Sequence, residues 1–408
     1  MSGGDYGGGG DFGTDNTVSG YTSWWDRLME SIKSVAIGFV LFIVAFPLLF
    51  WNEGRAVSTA KSLAEGKGLV VSVSADKVDP ANQGKLVHVT GPVKTNETLK
   101  DTEFGIEANA IFLLRSVEMY QYEEEKKTER KKKLGGGEET RTTYEYPVKW
   151  TSRKIDSTQF HDKSKVNPSV WPVAEASFAA KQVTLGAFVL TAAQVNDIRK
   201  QMDFSTTDGP QTLDTEALTK AKLPESIAKS AIIANSYIFV PTANSKSPQT
   251  NPSVGDVRIA FKVYRPSTIS LIAKQVGESF EPYVTSNGRT LELLELGSKS
   301  AELMFQEAEE ANKILTWILR LIGFVVMAIG VAMVFAPLVV LADVLPIVGD
   351  ILQAGSIIFA ILIALPLSLI TIAIAWLFYR PVLGVGLIAA AVGIVVLGKM
   401  LFGKKKAS

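Results

Sequence analysis

The chain predicts an α+β integral membrane protein with four transmembrane helices, one N-terminal and three C-terminal, and a large β-rich extracytoplasmic domain between the first and second. Three observations predict this class. Charge-free apolar runs stand near both ends of the 408 residues, each close to the ~20 that cross a ~30 Å hydrocarbon core. The interval between them holds short segments of period-two alternation, the pattern of half-buried strands. Lysines cluster directly after the last run, which orients the rest.

The first span is Val35–Trp51, 17 residues without a charge, at the lower limit for a crossing. It starts late and Trp51-Asn-Glu-Gly-Arg55 makes a poor cleavage site, so an uncleaved anchor is expected rather than a signal peptide. Pro47 is expected to kink it. Leu321–Ala342 is the second span, Ile351–Phe378 the third and Val382–Leu397 the fourth. The third, at 28 residues with Pro366 near its middle, predicts tilt or a kink. The fourth has 16 residues and follows the tight Tyr379-Arg380-Pro381 turn; four full crossings are expected over a re-entrant last segment. Lys399, Lys404, Lys405 and Lys406 place the 398–408 tail in the cytoplasm, and an even number of crossings then puts the N-terminus there too.

Composition removes several functions. Lys and Arg number 42 against 41 Asp and Glu, so no net field points to nucleic acid. Cysteine is absent and only His88 and His161 occur, which excludes disulfides, thiol nucleophiles and Cys-based metal sites. No GxSxG, HExxH, Walker loop or Rossmann fingerprint stands in a suitable setting. An enzyme is not expected, nor any cofactor, metal or catalytic residue. His88 reads as a satisfied strand residue; His161 lies in a polar loop without an evident partner.

Along the chain, residues 1–20 hold eight glycines and predict a disordered tail. In 21–34, Trp24, Trp25, Leu28, Met29 and Ile32 fall at helical spacing. They predict either an interfacial helix with its Trp pair at headgroup level or a helical extension of the first span. The domain at 52–299 should contain strands at Lys85–Thr90, Ile111–Tyr122, Thr140–Trp150, Val183–Leu190, Tyr237–Val240, Asp256–Tyr264, Thr268–Val276 and Arg289–Leu294. Helices are expected at Thr59–Glu65 and Ala192–Met202. The charged stretch between the second and third strands, ending in Gly135-Gly136-Gly137, predicts a long hairpin with a solvated tip. Gly84–Thr90 and Gly255–Phe261, each a glycine followed by an alternating strand, hint at a duplicated unit. From Ser300 the apolar period turns helical, with Leu303, Met304, Ala308, Ala311, Ile314, Leu315 and Ile318 on one face. Nothing interrupts it before the second span, so the amphipathic helix at 300–320 should enter the bilayer as one element, capped by Ser298 or Ser300.

Candidate functional residues are few. Asp343, Pro346 and Asp350 join the second and third spans and are membrane-interface candidates, because carboxylates beside hydrocarbon are often functional. The plainer expectation is a capped helix–turn–helix. Arg380 is a further interface candidate. Gly386, Ala390 and Gly393 in the fourth span are helix-packing candidates, as are Ala328, Ala332 and Ala336 with Ala360 and Ala364.

Several segments resemble the transmembrane protein 43 (LUMA) family. They are Asn52–Ala56 (NEGRA), Ser62–Gly66 (SLAEG), Lys85–Val89 (KLVHV), Val117–Gln121 (VEMYQ), Lys165–Ser169 (KVNPS) and Val254–Arg258 (VGDVR). Two more are Asp343-x-x-Pro346-x-x-x-Asp350 and Trp376–Pro381 (WLFYRP). The resemblance runs in order from about residue 25. It implies a one-plus-three arrangement of spans, self-association and no catalytic residues. Animal members organise the endoplasmic reticulum and inner nuclear membrane, bind lamins and emerin, and keep the large domain in the lumen. The glycine-rich tail and charged hairpin tip look particular to this chain and suggest a bacterial member. That would place it in the inner (cytoplasmic) membrane without those lamina partners. In a eukaryotic lumen the Asn96-Glu-Thr98 sequon would matter.

The function expected is a multipass scaffold that self-associates and organises a membrane region or recruits a protein partner. The competing expectation is a sensor whose domain binds a ligand and relays it through the 300–320 helix. A channel is disfavoured because no span carries a charge. The partners expected are the lipid bilayer, further copies of the chain and an unidentified protein, with no nucleic acid.

Overall fold

Three long apolar helices and a β-rich body make up the structure. The computed structural model describes residues 16–382 apart from Asn244, Pro266 and Ser267. The predicted fourth span, with Gly386, Ala390 and Gly393, falls outside the described residues but for Val382. The helices are α1 (Trp24–Leu69), α2 (Ala192–Phe204), the short α3 (Thr215–Thr219) and α4 (Glu225–Ala228), α5 (Ala301–Ala342) and α6 (Pro346–Tyr379). Three of them, α1, α5 and α6, are long and apolar enough to cross a membrane.

At 46 residues, α1 is roughly 69 Å long. It merges the segment at 24–34, the first span and the expected Thr59–Glu65 helix into one element. Ser23 caps its start by accepting from the Asp26 amide, and Pro47 lies inside it. Of the two readings for the 21–34 segment, the extension is the one seen. The Trp24 indole donates to the Val340 carbonyl of α5 at 2.9 Å. Beyond Trp51 the helix continues because Ala56, Val57, Leu63 and Gly66 form a buried face.

That face lies on α5, which runs antiparallel to α1 along its whole length. Gly66 meets Phe305, Gly38 meets Gly330, and Trp24 meets Val340. At the Gly38–Gly330 crossing the backbones touch: a Cβ on Gly38 would sit 2.7 Å from the Gly330 carbonyl oxygen, and the converse also holds. Small residues thus set the approach here, but at glycines other than the alanines expected. Helix α6 returns alongside, and its Ala364 is buried with Ala45, Leu49 and Met327.

The body holds two seven-stranded sheets. One runs β10 (Ala176–Ala179), β6 (Phe112–Tyr122), β16 (Val257–Tyr264), β15 (Tyr237–Val240), β14 (Ile232–Ala234). To it β9 (Val148–Thr151) adds on β6 and β13 (Gln211–Thr212) on β16. The other runs β12 (Phe188–Val189), β11 (Thr184–Leu185), β3 (Leu86–Lys94), β17 (Thr268–Val276), β18 (Ser279–Glu281). Here β2 (Val71–Ser74) adds on β3 and β21 (Leu293–Leu296) on β17. Small hairpins pair β4 (Thr98–Asp101) with β5 (Ile106–Asn109) and β19 (Tyr283–Val284) with β20 (Thr290–Leu291). One core of Phe104, Leu113, Leu185, Phe188, Phe261 and Phe280 is shared between the two large sheets, with Ile198 of α2. Thr191 and Gln194 form a capping box at the start of α2.

The two glycine-led segments open β3 and β16, inner strands of different sheets. Gly84 and Gly255 both take positive φ, +78° and +96°, the region that favours glycine. Other expectations need correction. The Val183–Leu190 strand is a tight turn between two two-residue strands, folded back at Gly186 with φ +59°. Thr140–Trp150 is divided between two sheets, and Arg289–Leu294 is likewise split between β20 and β21. The predicted tail already contributes Thr17–Gly20 to strand β1 (Thr17–Thr22).

Strand β1 joins β8 (Glu138–Glu145) and β7 (Glu125–Lys132) in a separate three-stranded sheet. Opposite charges face each other across the β7–β8 hairpin, with Glu129 beside Arg141, Lys131 beside Glu139 and Lys132 beside Glu138. Such cross-strand pairs stabilise the register. Each eight-residue strand spans roughly 27 Å, enough to run beside α5 and α6 from the body to their far end. Its tip is therefore not free in solvent, as the charge pattern predicts, but docked on the α5–α6 turn.

Candidate functional site: polar layers at the two ends of the helices

At the end of the helices next to the body, three polar positions of α5 lie four residues apart, at Asn312, Thr316 and Arg320. This spacing puts them on one face, toward Asn52, Glu53 and Arg55 of α1. Glu53 is fully buried, and Arg320 grips it with both ends of its fork, Nε to Oε1 at 2.6 Å and Nη2 to Oε2 at 2.9 Å. The Trp376 indole of α6 donates to the same carboxylate at 2.8 Å. The Arg320 guanidinium also lies 4.7 Å from the Trp317 ring centre and 5.6 Å from that of Trp376. A planar cation with five donors suits this bidentate, ring-stacked role.

Arg55 completes the layer, donating to Asn312 Oδ1 at 3.0 Å and Thr316 Oγ1 at 2.9 Å. Asn52 donates to the Thr316 carbonyl and Asn312 to the Ala56 carbonyl. Gly54 leaves room for the Tyr379 ring, which a Cβ would strike at 2.6 Å. Three apolar helices are thus tied by one polar clamp at the body end of the spans.

At the opposite end, Asp343 is fully buried and ends α5, while Pro346 opens α6. Arg27 Nη2 reaches Asp343 at 2.5 Å and Lys132 Nζ at 2.9 Å. Lys132 also meets Asp350 at 2.9 Å and Gln353 at 3.0 Å. The Gly135 amide donates to the Val344 carbonyl at 3.1 Å. Asp343 and Asp350 are therefore brought together through one lysine of the hairpin. Arg380 stands at the other end, beside the clamp. The helix–turn–helix expected here is present but without a side-chain cap, since Leu345 precedes Pro346 at the start of α6 and Asp350 lies inside the helix; it also anchors the hairpin tip.

In the body, three of the family-like segments converge. The Gly255 amide donates to the Tyr120 carbonyl, and the Tyr120 amide to that of Asp256. Asn167 pairs with both backbone groups of Tyr122, and Pro168 packs on Gly255. The buried Asp256 carboxylate accepts from the Thr242 and Ser253 amides and from the Thr242 and Ser245 hydroxyls. This explains these segments as a structural junction. Its carboxylate is filled by donors of its own loop.

His88 sits in β3 as expected, between Ser72 Oγ at 3.2 Å and the Lys299 carbonyl at 3.0 Å. Burial pushes its pKa down, partly offset by the bond to Lys299. His161 does have a partner, since its ring stacks on Tyr144 with centres 4.3 Å apart. Among the described residues no group of three or more His, Cys, Asp and Glu side chains could hold a metal ion.

Fold and clamp define a multipass α+β membrane protein whose spanning helices continue without a break into its body. The sequence profile of the family described as Transmembrane protein 43 matches residues 119–381. Transmembrane protein 43 of Mus musculus is 34% identical over 368 residues, covering 87% of both chains. That of Homo sapiens is 32% identical over 376 residues, covering 89% of both. The homolog from Drosophila melanogaster is 27% identical, covering 89% of this chain and 94% of its own. No solved structure matches. The chain belongs to the transmembrane protein 43 family. These relatives are animal proteins, and they lend the expected bacterial origin no support.

Proposed function

We propose that the protein is a non-enzymatic membrane scaffold that holds its β-rich body at a set height and angle on the bilayer and self-associates through the helices. The observation that carries this reading is the α1–α5 pair: two helices of 46 and 42 residues that leave the membrane together and are clamped by Glu53, Arg320 and Trp376. A relay of ligand state would need an element with two arrangements of similar energy. An uninterrupted helix pair locked by a buried bidentate ion pair argues against one, which disfavours the sensor.

The outer face of α5 supports self-association. The expected apolar stripe is divided: Met304 is buried against the body with Ala308 beside it, whereas Leu303, Ile314, Leu315 and Ile318 are exposed. A second copy covering this face would remove that apolar area from water. On this reading the C-terminal lysines hold both termini in the cytoplasm and the body lies outside it. The partners are the bilayer, further copies and a protein recruited by the body. Light scattering of the purified chain in mild detergent at several concentrations tests it. An assembly of fixed size is expected; a monodisperse monomer throughout would refute self-association.

A further inference from the structure

Beside the clamp, a cavity of about 400 Å³ opens between the ends of the three helices. Ala56 and Ala60 of α1 form its back, Lys313 and Trp317 come from α5, Trp376 comes from α6, and Arg380 directly follows α6. Its level is set by the chain itself. The charge-free run of α1 ends at Trp51 and that of α5 begins at Leu321, so the cavity lies where headgroups meet hydrocarbon. Exposed aromatic rings belong at that depth, and Trp317 is 67% exposed.

The charges are unevenly satisfied. Arg320 is already neutralised by Glu53. Lys313 and Arg380 make no side-chain hydrogen bond or ion pair among the described residues. Against them, among the described residues, the lining carries a single carboxylate, Glu309. Behind the wall formed by Asn312 and Thr316, Arg55 Nε is buried without a partner. Two uncommitted cations, aromatic walls and an opening at headgroup depth suit a phosphate carried on an apolar stem. Arginine and lysine both bind phosphate through charge-assisted hydrogen bonds, and the volume exceeds what a bare phosphate ion fills.

We propose that this cavity binds the phosphate of a phospholipid headgroup between Lys313 and Arg380, with the glycerol and first chain carbons against Trp317 and Trp376. The full chain is reconstituted in nanodiscs of phosphatidylcholine with a minority of phosphatidylglycerol, released into mild detergent, and its retained lipid counted by native mass spectrometry. The wild type is expected to keep bound phospholipid, and the K313A/R380A double variant to retain at least about tenfold less, since two charge-assisted contacts are lost. The K313R/R380K variant should restore retention, which a change in packing alone would not do. Thermal unfolding and particle size, unchanged in all three, show that the fold persists; if K313A/R380A misfolds, K313Q is read in the same way. The proposal is overturned if the wild type retains no lipid, if the neutralised variant retains as much, or if millimolar inorganic phosphate displaces the lipid fully and occupies the cavity alone.

Discussion

Glu53 shows how a single side chain can organise a membrane boundary. A buried carboxylate so near hydrocarbon needs a counter-charge and filled lone pairs, and Arg320 with the Trp376 indole supplies both. Removing one partner of such a pair is more damaging than the pair is stabilising, because the remaining charge is stranded. Glu53→Ala is expected to lower stability by about 3–5 kcal/mol, read as a fall in melting temperature by tryptophan fluorescence in detergent. A Glu53→Ala melting temperature equal to wild type would mean that Arg320 finds water or another acceptor. His88 offers a second test at this scale. Burial lowers its folded-state pKa below the ordinary 6.5, so at acid pH the unfolded chain binds the extra proton. Stability is then full above about pH 6.5 and declines as pH falls from there toward the folded pKa. His88→Gln should flatten that decline in melting temperature between pH 7 and pH 5 (the range set by the ordinary histidine pKa); an unchanged slope would assign it to other groups.

At the scale of elements, the β7–β8 hairpin poses the sharpest physical question. It lies beside the apolar stretches of α5 and α6, with Arg130 and Lys132 sharing a cavity with Ile329, Met333 and Ile357. Strand β7 alone, EKKTERKK, carries seven charges in eight residues. At ~2.5–3.5 kcal/mol for each charge at hydrocarbon depth, their insertion would cost on the order of 20 kcal/mol. The ion pairs at Asp343 return only a few. Open strand edges add to the imbalance. In a bilayer the hairpin is therefore expected to leave the helices for water on the side of the body, exchanging its tip contacts and its pairing with β1 for solvent. A cysteine at Lys131 in the natural cysteine-free background should react in proteoliposomes with an impermeant maleimide applied to the side of the body. Protection there until detergent is added would place the hairpin along the spans even in lipid.

For the molecule as a whole, the helices and the body share one fold. Leu63 of α1 and Met304 and Phe305 of α5 close an apolar cluster with Leu86, Ile272 and Leu291 of the sheets, and Gly66 allows Leu291 and Phe305 to approach α1. A fragment covering residues 70–299 would expose that cluster and is expected to aggregate, whereas 53–316, which keeps both helical segments, should stay soluble. Size-exclusion chromatography distinguishes the two. Equal solubility would show that the cluster is dispensable.

Much of this was legible in the residues. Charge-free length locates the spans, because hydrocarbon thickness is a fixed external ruler. Period two finds β3, β6, β16 and β17, since each buries one face or both. The same periodicity could have found the clamp: Asn312, Thr316 and Arg320 recur every four residues on a helix otherwise read by its apolar stripe. Their partners Asn52, Glu53 and Arg55 stand over 250 residues away, so only the antiparallel pairing of α1 with α5 shows that the two polar sets meet. Likewise charge balance along 125–145 describes a hairpin but not where its tip lands, because ion pairs carry no range in sequence. By itself the chain determined its class, three of its expected spans and its family resemblance, all of which depend on local composition read against a bilayer. Which charges pair, which helix face is buried and where a cavity opens depended on long-range packing. That was decided only when the helices and sheets came together.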